Sequence, residues 1–306
     1  MGQPARIRLR LPAGQRAVVA IPYVWLLVLF LIPLLIVLEI SFAQFAPMAR
    51  PPYESILRWA EDGVLRLKLQ FDSYQYLLNE PLYVSAWFYS IKVAAISTLL
   101  CLLLGYPMAY AIARCPPTSR NVYLMLVMLP FWTSFLLRVY AWIGLLKTDG
   151  VINNVLLWLN IIDEPLQMMN TSFAVYVGIV YSYLPFMILP LYANLEKHDL
   201  TLLEAAQDLG CGPIRAVLRI TLPLSMPGIV AGSLLVFIPA VGEYVIPSLL
   251  GSSDQLMIAK LLSDEFFMNR DWPRASAVAI AMVLLLLVPI LIFQRFQNRT
   301  LQAARA

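Results

Sequence analysis

The side chains that could support catalysis or metal binding are few and scattered along the chain. The three cysteines, Cys101, Cys115 and Cys211, have none of the spacings that form a zinc or redox motif. The single histidine, His198, excludes an HExxH zinc motif, and no lysine follows a glycine, so the chain lacks a phosphate-binding P-loop. We therefore expect no metal, no cofactor and no catalytic residue in this chain.

One short segment has a pattern that suits contact with a partner. Residues 197–213 read KHDLTLLEAAQDLGCGP, in which Thr201 and Glu204 have the T-x-x-E spacing of a capping box. Gly210 and Pro213 are typical of a helix end. The segment predicts a helix of about two turns, a length that is marginal in water unless a surrounding surface stabilises it.

The apolar residues of this predicted helix recur at the i, i+3, i+4, i+7 spacing of a single face. They are Leu202, Ala205, Ala206 and Leu209. The two central alanines permit another surface to approach closely. One interpretation is an ordinary interfacial turn in which Glu204 only caps the helix. The other is a short docking helix that fits a groove in a cytoplasmic partner.

The composition of the chain indicates what surrounds most of its residues. Hydrophobic residues make up 60% of the 306 residues, charged residues 13%, and the mean hydropathy is +0.74. A soluble domain has about 45–50% apolar and about 25% charged residues. Too little polar surface remains to cover a water-soluble globule, so most of the chain must lie in lipid.

Six long stretches between successive charges approach or exceed the length of about 20 apolar residues that crosses a bilayer. They predict an all-α integral membrane protein with a six-helix domain over 17–296, between an N-terminal tail (1–16) and a C-terminal tail (297–306). The predicted spans are 17–42, 85–113, 121–146, 172–195, 220–248 and 275–294. The first is too long for the apolar region of a cleavable signal peptide, and no A-x-A site follows it.

The basic residues predict the orientation of these spans. With the N-terminus in the cytoplasm, the inner segments hold 12 basic and four acidic residues, a net charge of +8, whereas the outer loops hold eight basic and 12 acidic residues, a net charge of −4. Both termini and the loop 197–213 are therefore expected on the cytoplasmic side. The basic balance is explained by this inner face and does not indicate nucleic acid binding.

The loop also carries the basis of a family resemblance. Glu204-Ala205-Ala206, Gly210, and then Ile220 and Leu222-Pro223 complete the pattern EAA-x3-G-x9-I-x-LP. This pattern resembles the EAA loop of bacterial ABC importer permeases. The resemblance implies six helices of the type I importer (MetI-like) class. It also implies that Glu204, Ala205, Ala206, Leu209 and Gly210 couple the chain to an ATPase.

Further segments extend the resemblance over residues 20 to 295. LPFWTS at 129–134, YLPFM at 183–187, GEYVIP at 242–247 and RDWP at 270–273 resemble the polyamine permeases, with the putrescine-type larger subunit the most similar. The resemblance implies a second homologous permease subunit, a cytoplasmic ATPase dimer and a periplasmic solute-binding protein in the bacterial inner membrane. ATP hydrolysis on the partner chain would drive polyamine uptake by alternating access.

A path for a polyamine should offer carboxylates and aromatic faces, because ammonium groups bind both. Glu243 lies between Pro239 and Pro247, where a helix break would expose backbone carbonyls to a cavity. We expect Glu243, with Tyr244, Trp132 and Tyr181, on this path. The alternative for Glu243 is an ion pair with Lys92 or Arg138, and the alternative for the aromatic residues is a place in the core.

Two further expectations concern the rest of the chain. The segment from Ala43 to Leu82 reads as an ordered external region that contacts the solute-binding protein. Other readings of the function also stand: the same importer class with another amine or small solute as substrate, or an ion-coupled secondary carrier. An inside-negative membrane potential could drive dication entry without ATP, so energetics alone do not separate these alternatives.

Overall fold

The computed structural model describes residues 13–59, 65–252 and 254–303, and its chain divides into two units. One unit holds residues 1–75 and 265–280, and the other holds residues 76–264 and 281–306. Most of the predicted N-terminal tail and the last three residues of the C-terminal tail lie outside the described residues.

The first unit begins with a long helical segment whose apolar part is exposed. Helices α1 (Ala13–Leu26) and α2 (Ile32–Ser41) are joined by a π-helical turn at Leu27–Leu31. The turn precedes Pro33, whose ring and missing N–H disrupt the regular i→i−4 ladder. No residue in the apolar window of this helix is buried. Its side chains therefore need lipid or another chain as their surroundings.

Four short strands follow this helix among the described residues. They form two antiparallel pairs, β1 (Gln44–Phe45) with β2 (Tyr53–Glu54), and β3 (Leu57–Trp59) with β4 (Leu65–Leu67). Helix α3 (Asp72–Asn79) follows.

The second unit contains the central packing of the fold. Three helices pack on one another: α4 (Pro81–Arg114), α8 (Ser172–Leu195) and α12 (Met226–Val241). Small residues allow the close approach, as is usual between membrane helices. Gly232 of α12 is one example, since a Cβ atom there would lie 2.8 Å from the sulfur of Met187 on α8. Gly178 of α8 lets a further helix approach, since a Cβ atom there would lie 2.8 Å from side-chain atoms of Ile246 and Leu250. These two residues belong to the short helix α13 (Val245–Leu250).

The predicted third span, 121–146, is not one continuous helix. Helix α5 (Pro117–Met128) ends in a 3₁₀ turn at Leu129–Trp132, and α6 (Phe135–Leu146) then begins in a new direction. With α7 (Val151–Trp158) included, the two parts meet at 89°. Pro130 breaks the helix because it removes a backbone donor, and Thr133 closes the turn by donating its hydroxyl to the Pro130 carbonyl at 2.8 Å.

The predicted fifth span, 220–248, also differs from a single helix. Its helical path begins at Pro213 and bends by 67° before Met226. The first part comprises α10 (Pro213–Ala216), a π-helical turn (Val217–Thr221) and α11 (Leu222–Leu224). The bend lies at Ser225, whose hydroxyl donates to the Leu222 carbonyl at 2.9 Å.

The remaining helices are α9 (Thr201–Asp208), α14 (Ile258–Phe267) and α15 (Trp272–Ala303). The last runs through most of the predicted C-terminal tail. Within the described residues, four helices are long and apolar enough to cross a membrane, and each bent pair adds one more, for up to six.

Candidate functional site

The helix predicted in the loop 197–213 is present as α9, Thr201–Asp208. None of its eight residues, all of which the structure describes, is buried. The predicted capping box is wrong, because the residue before the helix is Leu200 and no side chain caps it there. Instead Asp199 accepts the Thr201 N–H at 3.0 Å, which satisfies one of the donors that the first turn leaves free.

Gly210 ends this helix through its backbone conformation. Its φ is +78°, a left-handed value that an L side chain adopts only with strain. Its N–H donates to the Gln207 carbonyl at 2.8 Å, and the Cys211 N–H donates to the Ala206 carbonyl at 2.9 Å. These two bonds form a Schellman motif. The glycine of the EAA pattern therefore ends the helix at Asp208, with Leu209 as the C-cap residue between them.

The apolar residues of and beside α9 face outward in this chain. Leu209 is 88% exposed and Leu202 is 47% exposed. Glu204 and Ala205 are also exposed, whereas Ala206 is half-buried. Just beyond the helix, Ile214 is 75% exposed. Contiguous exposed apolar groups of this kind mark a surface that binds another molecule.

The base of the loop is held by an arginine that the sequence reasoning did not single out. Arg120, in the first turn of α5, donates from Nη1 to Oε1 of Glu196 at 2.9 Å. Its Nη2 donates to the carbonyls of Ala113 and Cys115, both at 3.3 Å. Arg120 thus ties the end of α8 to the turn between α4 and α5. A cation beside carbonyls that a helix C-terminus leaves free was the available signal.

His198 lies at the same base, between Glu196 and the start of α9. Burial lowers the pKa of its imidazole, and a hydrogen bond with the backbone of Leu224 acts in the opposite direction. The hydrogen bond with Leu224 connects the loop to α11, just before the 67° bend.

Glu243 lies in a real helix break, as its neighbouring prolines predict. Helix α12 ends at Val241 and α13 begins at Val245. The carboxylate is only 6% exposed. Its Oε1 accepts the N–H groups of Val245 and Ile246 at 3.0 and 3.3 Å, and its Oε2 accepts the Tyr183 hydroxyl at 2.5 Å. Glu243 thus caps α13 and links it to α8.

The ion pair offered as the alternative for Glu243 is not formed, although the structure describes both basic residues concerned. Arg138 instead lies over the rings of Phe131 and Phe135, at 4.9 and 5.7 Å from their centroids. Three hydrogen-bond donors instead contact the side-chain oxygens of Glu243.

The aromatic residues predicted on the path occupy separate places. Trp132 is 75% exposed at the end of the 3₁₀ turn, and Tyr244 is 38% exposed beside Glu243. Tyr181 packs edge-to-face on Trp142, with 5.4 Å between the ring centroids. Among these described residues, no hydrogen bond or ring contact joins Trp132 or Tyr181 to the Glu243 segment.

Comparison with protein families shows which family the chain belongs to. The family model described as "Binding-protein-dependent transport system inner membrane component" matches residues 101–303. The chain belongs to this family, the inner-membrane permease subunits of ABC importers, and has their MetI-like fold. It is therefore a membrane transport component and not an enzyme.

Individual relatives agree with this assignment. The chain is 39% identical to the spermidine/putrescine transport system permease protein PotB of Haemophilus influenzae, over 92% of this chain and 93% of that protein. It is 38% identical to PotB of Escherichia coli, over 89% and 93% respectively. A chain in the crystal structure of a bacterial alginate ABC transporter, in complex with an alginate-bound periplasmic protein, has the same fold, with a TM-score of 0.68, 18% identity and 94% coverage of both chains.

Proposed function

We propose that this chain is the transmembrane subunit of an ATP-driven importer for polyamines. The observation that carries the proposal is the exposed helix α9, which bears the complete EAA pattern in a chain similar to two spermidine/putrescine permeases. The aromatic residues and the carboxylates of the outer loops are consistent with a cationic substrate. Putrescine is the substrate that we test first, and spermidine is the second.

The coupling residues are Glu204, Ala205, Ala206, Leu209 and Gly210. Leu209 and Ala205 enter a groove of the cytoplasmic ATPase, Glu204 faces its rim, and Gly210 sets the direction in which the chain leaves. Closure of the ATPase dimer moves α9, and the contacts of Arg120 and His198 pass this movement to the spans. The spans then alternate between inward- and outward-facing states.

The complete importer contains four other components of known class. A second homologous permease subunit completes the path, two copies of an ATPase bind below it, and a periplasmic solute-binding protein delivers the substrate. The apolar window of helix α1–α2, in which no residue is buried, supports contact with lipid or with the second permease. The segment from Ala43 to Leu82 is our candidate contact for the solute-binding protein.

The chain lies in the bacterial inner membrane with both termini in the cytoplasm. The excess of basic residues on the predicted inner segments supports this orientation. It places α9 and the ATPase on the same side, and Tyr244 towards the periplasm.

The substrate path runs past Tyr244, Trp132 and Tyr181. The exposure of Trp132 and Tyr244 supports a place for both on a surface that the second permease completes. Glu243 contributes by fixing the break beside Tyr244, and its carboxylate is a second candidate contact for a passing ammonium group.

The experiment uses the full importer, purified and reconstituted in proteoliposomes. Glu204→Lys should abolish ATPase association and ATP-dependent putrescine uptake while the chain still inserts in the membrane. Asp163→Lys is the matched control, since it makes the same charge reversal in an exposed outer loop. Normal uptake by the Glu204 variant would contradict the coupling role.

The same vesicles separate the alternatives. Putrescine uptake by the two permease chains without the ATPase would indicate a secondary carrier. ATP-dependent uptake of another solute in preference to polyamines would retain the importer and change its substrate.

A further inference from the structure

A polar cavity of about 680 Å³ lies beside α13, which follows the helix break at Glu243. Its lining includes the polar residues Gln167, Asn170, Ser248, Ser252, Asp254, Gln255 and Lys260. Gln255 holds its wall in place, because its Oε1 accepts the hydroxyls of Tyr89 and Ser172 at 2.7 and 2.6 Å. The cavity is therefore supported by α4 and α8 and is not merely a gap in a loose loop.

Lys260, at the edge of this cavity, is held by two groups that bind ammonium ions. Its Nζ donates to Oδ1 of Asp264 at 2.7 Å and lies 5.8 Å from the centroid of the Tyr244 ring. A carboxylate together with an aromatic face is the usual environment of a bound alkylammonium group. The hydrogen bond with Asp264 raises the pKa of Lys260, so its side chain stays charged.

The side chain of Lys260 has the same chemistry as one end of a linear diamine. Four methylene groups lead from its Cα to an ammonium group, and 1,4-diaminobutane is four methylene groups with an ammonium at each end. A site that accepts Lys260 therefore has the right shape and charge for the end of such a diamine. The side-chain amides of Gln167 and Asn170 line the cavity beside it, and their oxygens are candidate contacts for the second ammonium.

We propose that Tyr244 and Asp264 form an alkylammonium site, that Lys260 occupies this site when no substrate is present, and that one end of a linear diamine displaces it. This inference rests on the proposed function, since it names a contact for the imported substrate. Lys260 acts as an internal competitor that keeps the site closed to weaker or smaller cations.

The displacement requires little work. The Lys260–Asp264 pair joins neighbouring turns of one helix, and its side chains are 28% and 31% exposed. Ion pairs that solvent reaches stabilise by at most about a factor of five. A diamine that gains a second contact in the cavity can therefore compete with the tethered ammonium.

The test measures diamine binding directly and without the solute-binding protein, whose affinity would dominate uptake. The complex of both permeases and the ATPase is placed in nanodiscs of phosphatidylcholine and phosphatidylglycerol, and binding of radiolabelled 1,4-diaminobutane is measured by equilibrium dialysis. Lys260→Met, which keeps the length and removes the charge, should lower the Kd about fivefold. Asp264→Asn and Tyr244→Leu should each raise it, whereas Tyr244→Phe should not.

Two controls separate this site from general electrostatics. Lys147→Met makes the same substitution at an exposed outer position and should leave the Kd unchanged. In the double variant Lys260→Met/Asp264→Asn, the gain from the first change should be lost, because the competitor and the site are removed together. Size-exclusion profiles establish that each variant complex is assembled.

Three results would overturn the proposal. An unchanged Kd in Lys260→Met, or in Asp264→Asn, would leave an ordinary surface ion pair. Displacement of the diamine from Lys260→Met by added phosphatidylethanolamine would assign the site to lipid headgroups. ATP-dependent uptake by the wild-type importer is measured in parallel, so that failure of this site is distinguished from failure of the proposed function.

Discussion

Helices α9 and α13 are both short and both begin beside a carboxylate, which accepts one backbone N–H group in α9 and two in α13, but their surroundings differ. Asp199 and α9 are exposed, and the helix has no buried residue among those described. Glu243 is buried, and α13 packs its Ile246 and Leu250 fully into the core. The same kind of hydrogen bond therefore begins two helices that have different surroundings. In α13 the helix packs into the core of this chain, and in α9 the helix keeps its apolar side chains exposed.

The comparison also explains why the two motifs differ in how directly they can be interpreted. No side chain of α9 is buried, so a partner protein can contact these side chains directly. The carboxylate of Glu243 is already used by three donors of its own chain. Burial, and not residue type, distinguishes the two short helices: the side chains of α9 are exposed, and the carboxylate that begins α13 is buried and hydrogen-bonded within its own chain.

The largest expected effect is on the buried side of this comparison. Glu243→Leu leaves two backbone N–H groups and the Tyr183 hydroxyl without an acceptor, which should cost about 3 kcal/mol of stability. Glu243→Gln keeps an acceptor and should cost much less. Unfolding of the purified chain in mixed detergent micelles measures both. Equal stability of Glu243→Leu and wild type would show that the cap is dispensable.

The next effect is on the exposed side. Leu209→Glu should weaken ATPase association by about 2 kcal/mol, roughly 30-fold, since a buried leucine contributes about 1.5–3 kcal/mol to a contact. The stability of the free chain should not change, because Leu209 is 88% exposed. Affinity is measured by titrating the permease pair with purified ATPase.

Leu78→Glu is the matched control for this change, because Leu78 is 77% exposed on α3. It should bind the ATPase normally. If both variants lose the ATPase equally, the effect comes from added charge and not from contact at α9.

A smaller effect is expected at the end of α9. Gly210→Ala forces a side chain into the left-handed conformation and should cost about 1 kcal/mol of coupling-loop stability, whereas Gly210→Asn should retain part of it. Gly212→Ala is a close control, since Gly212 has a φ of −64° and open space around its Cβ position. ATPase stimulation by the loaded solute-binding protein is the measurement, and equal values for Gly210→Ala and Gly212→Ala would contradict the role of the conformation.

The smallest effect is expected at the beginning of α9. Asp199→Ala removes one exposed hydrogen bond to the Thr201 N–H and should cost about 0.5 kcal/mol. Amide hydrogen exchange over 197–213 should become faster, and Asp199→Asn should restore part of the protection. Unchanged exchange in Asp199→Ala would mean that the partner surface alone orders the helix.

Local patterns predicted the parts of the fold that depend on nearby residues. The apolar spacing and the glycine gave α9, and the prolines around Glu243 gave the break after Val241. Proline chemistry also explains the 3₁₀ turn at Leu129–Trp132, but the 89° bend depends on how α6 packs, which the sequence does not display. The capping box failed because Asp199 is a competing acceptor two residues before Thr201.

Contacts between distant residues were beyond the reach of these patterns. Tyr183 donates to Glu243 across 60 positions, and Arg120 reaches Glu196 across 76. Neither pairing leaves a periodic signal in a single sequence. The structure therefore adds a capping role for Glu243 to its predicted place on the substrate path, and Arg120 emerged only from the structure.

The three hydrogen bonds of Arg120 predict which parts of the chain move together during transport. Because the Arg120 guanidinium joins the base of the loop 197–213 to the α4–α5 turn, these two segments should move together through the transport cycle. A pair of spin labels placed on them would keep a constant separation during ATP turnover. Any lengthening or shortening should instead be recorded between labels on either side of the bend at Ser225, so that this serine marks the moving joint.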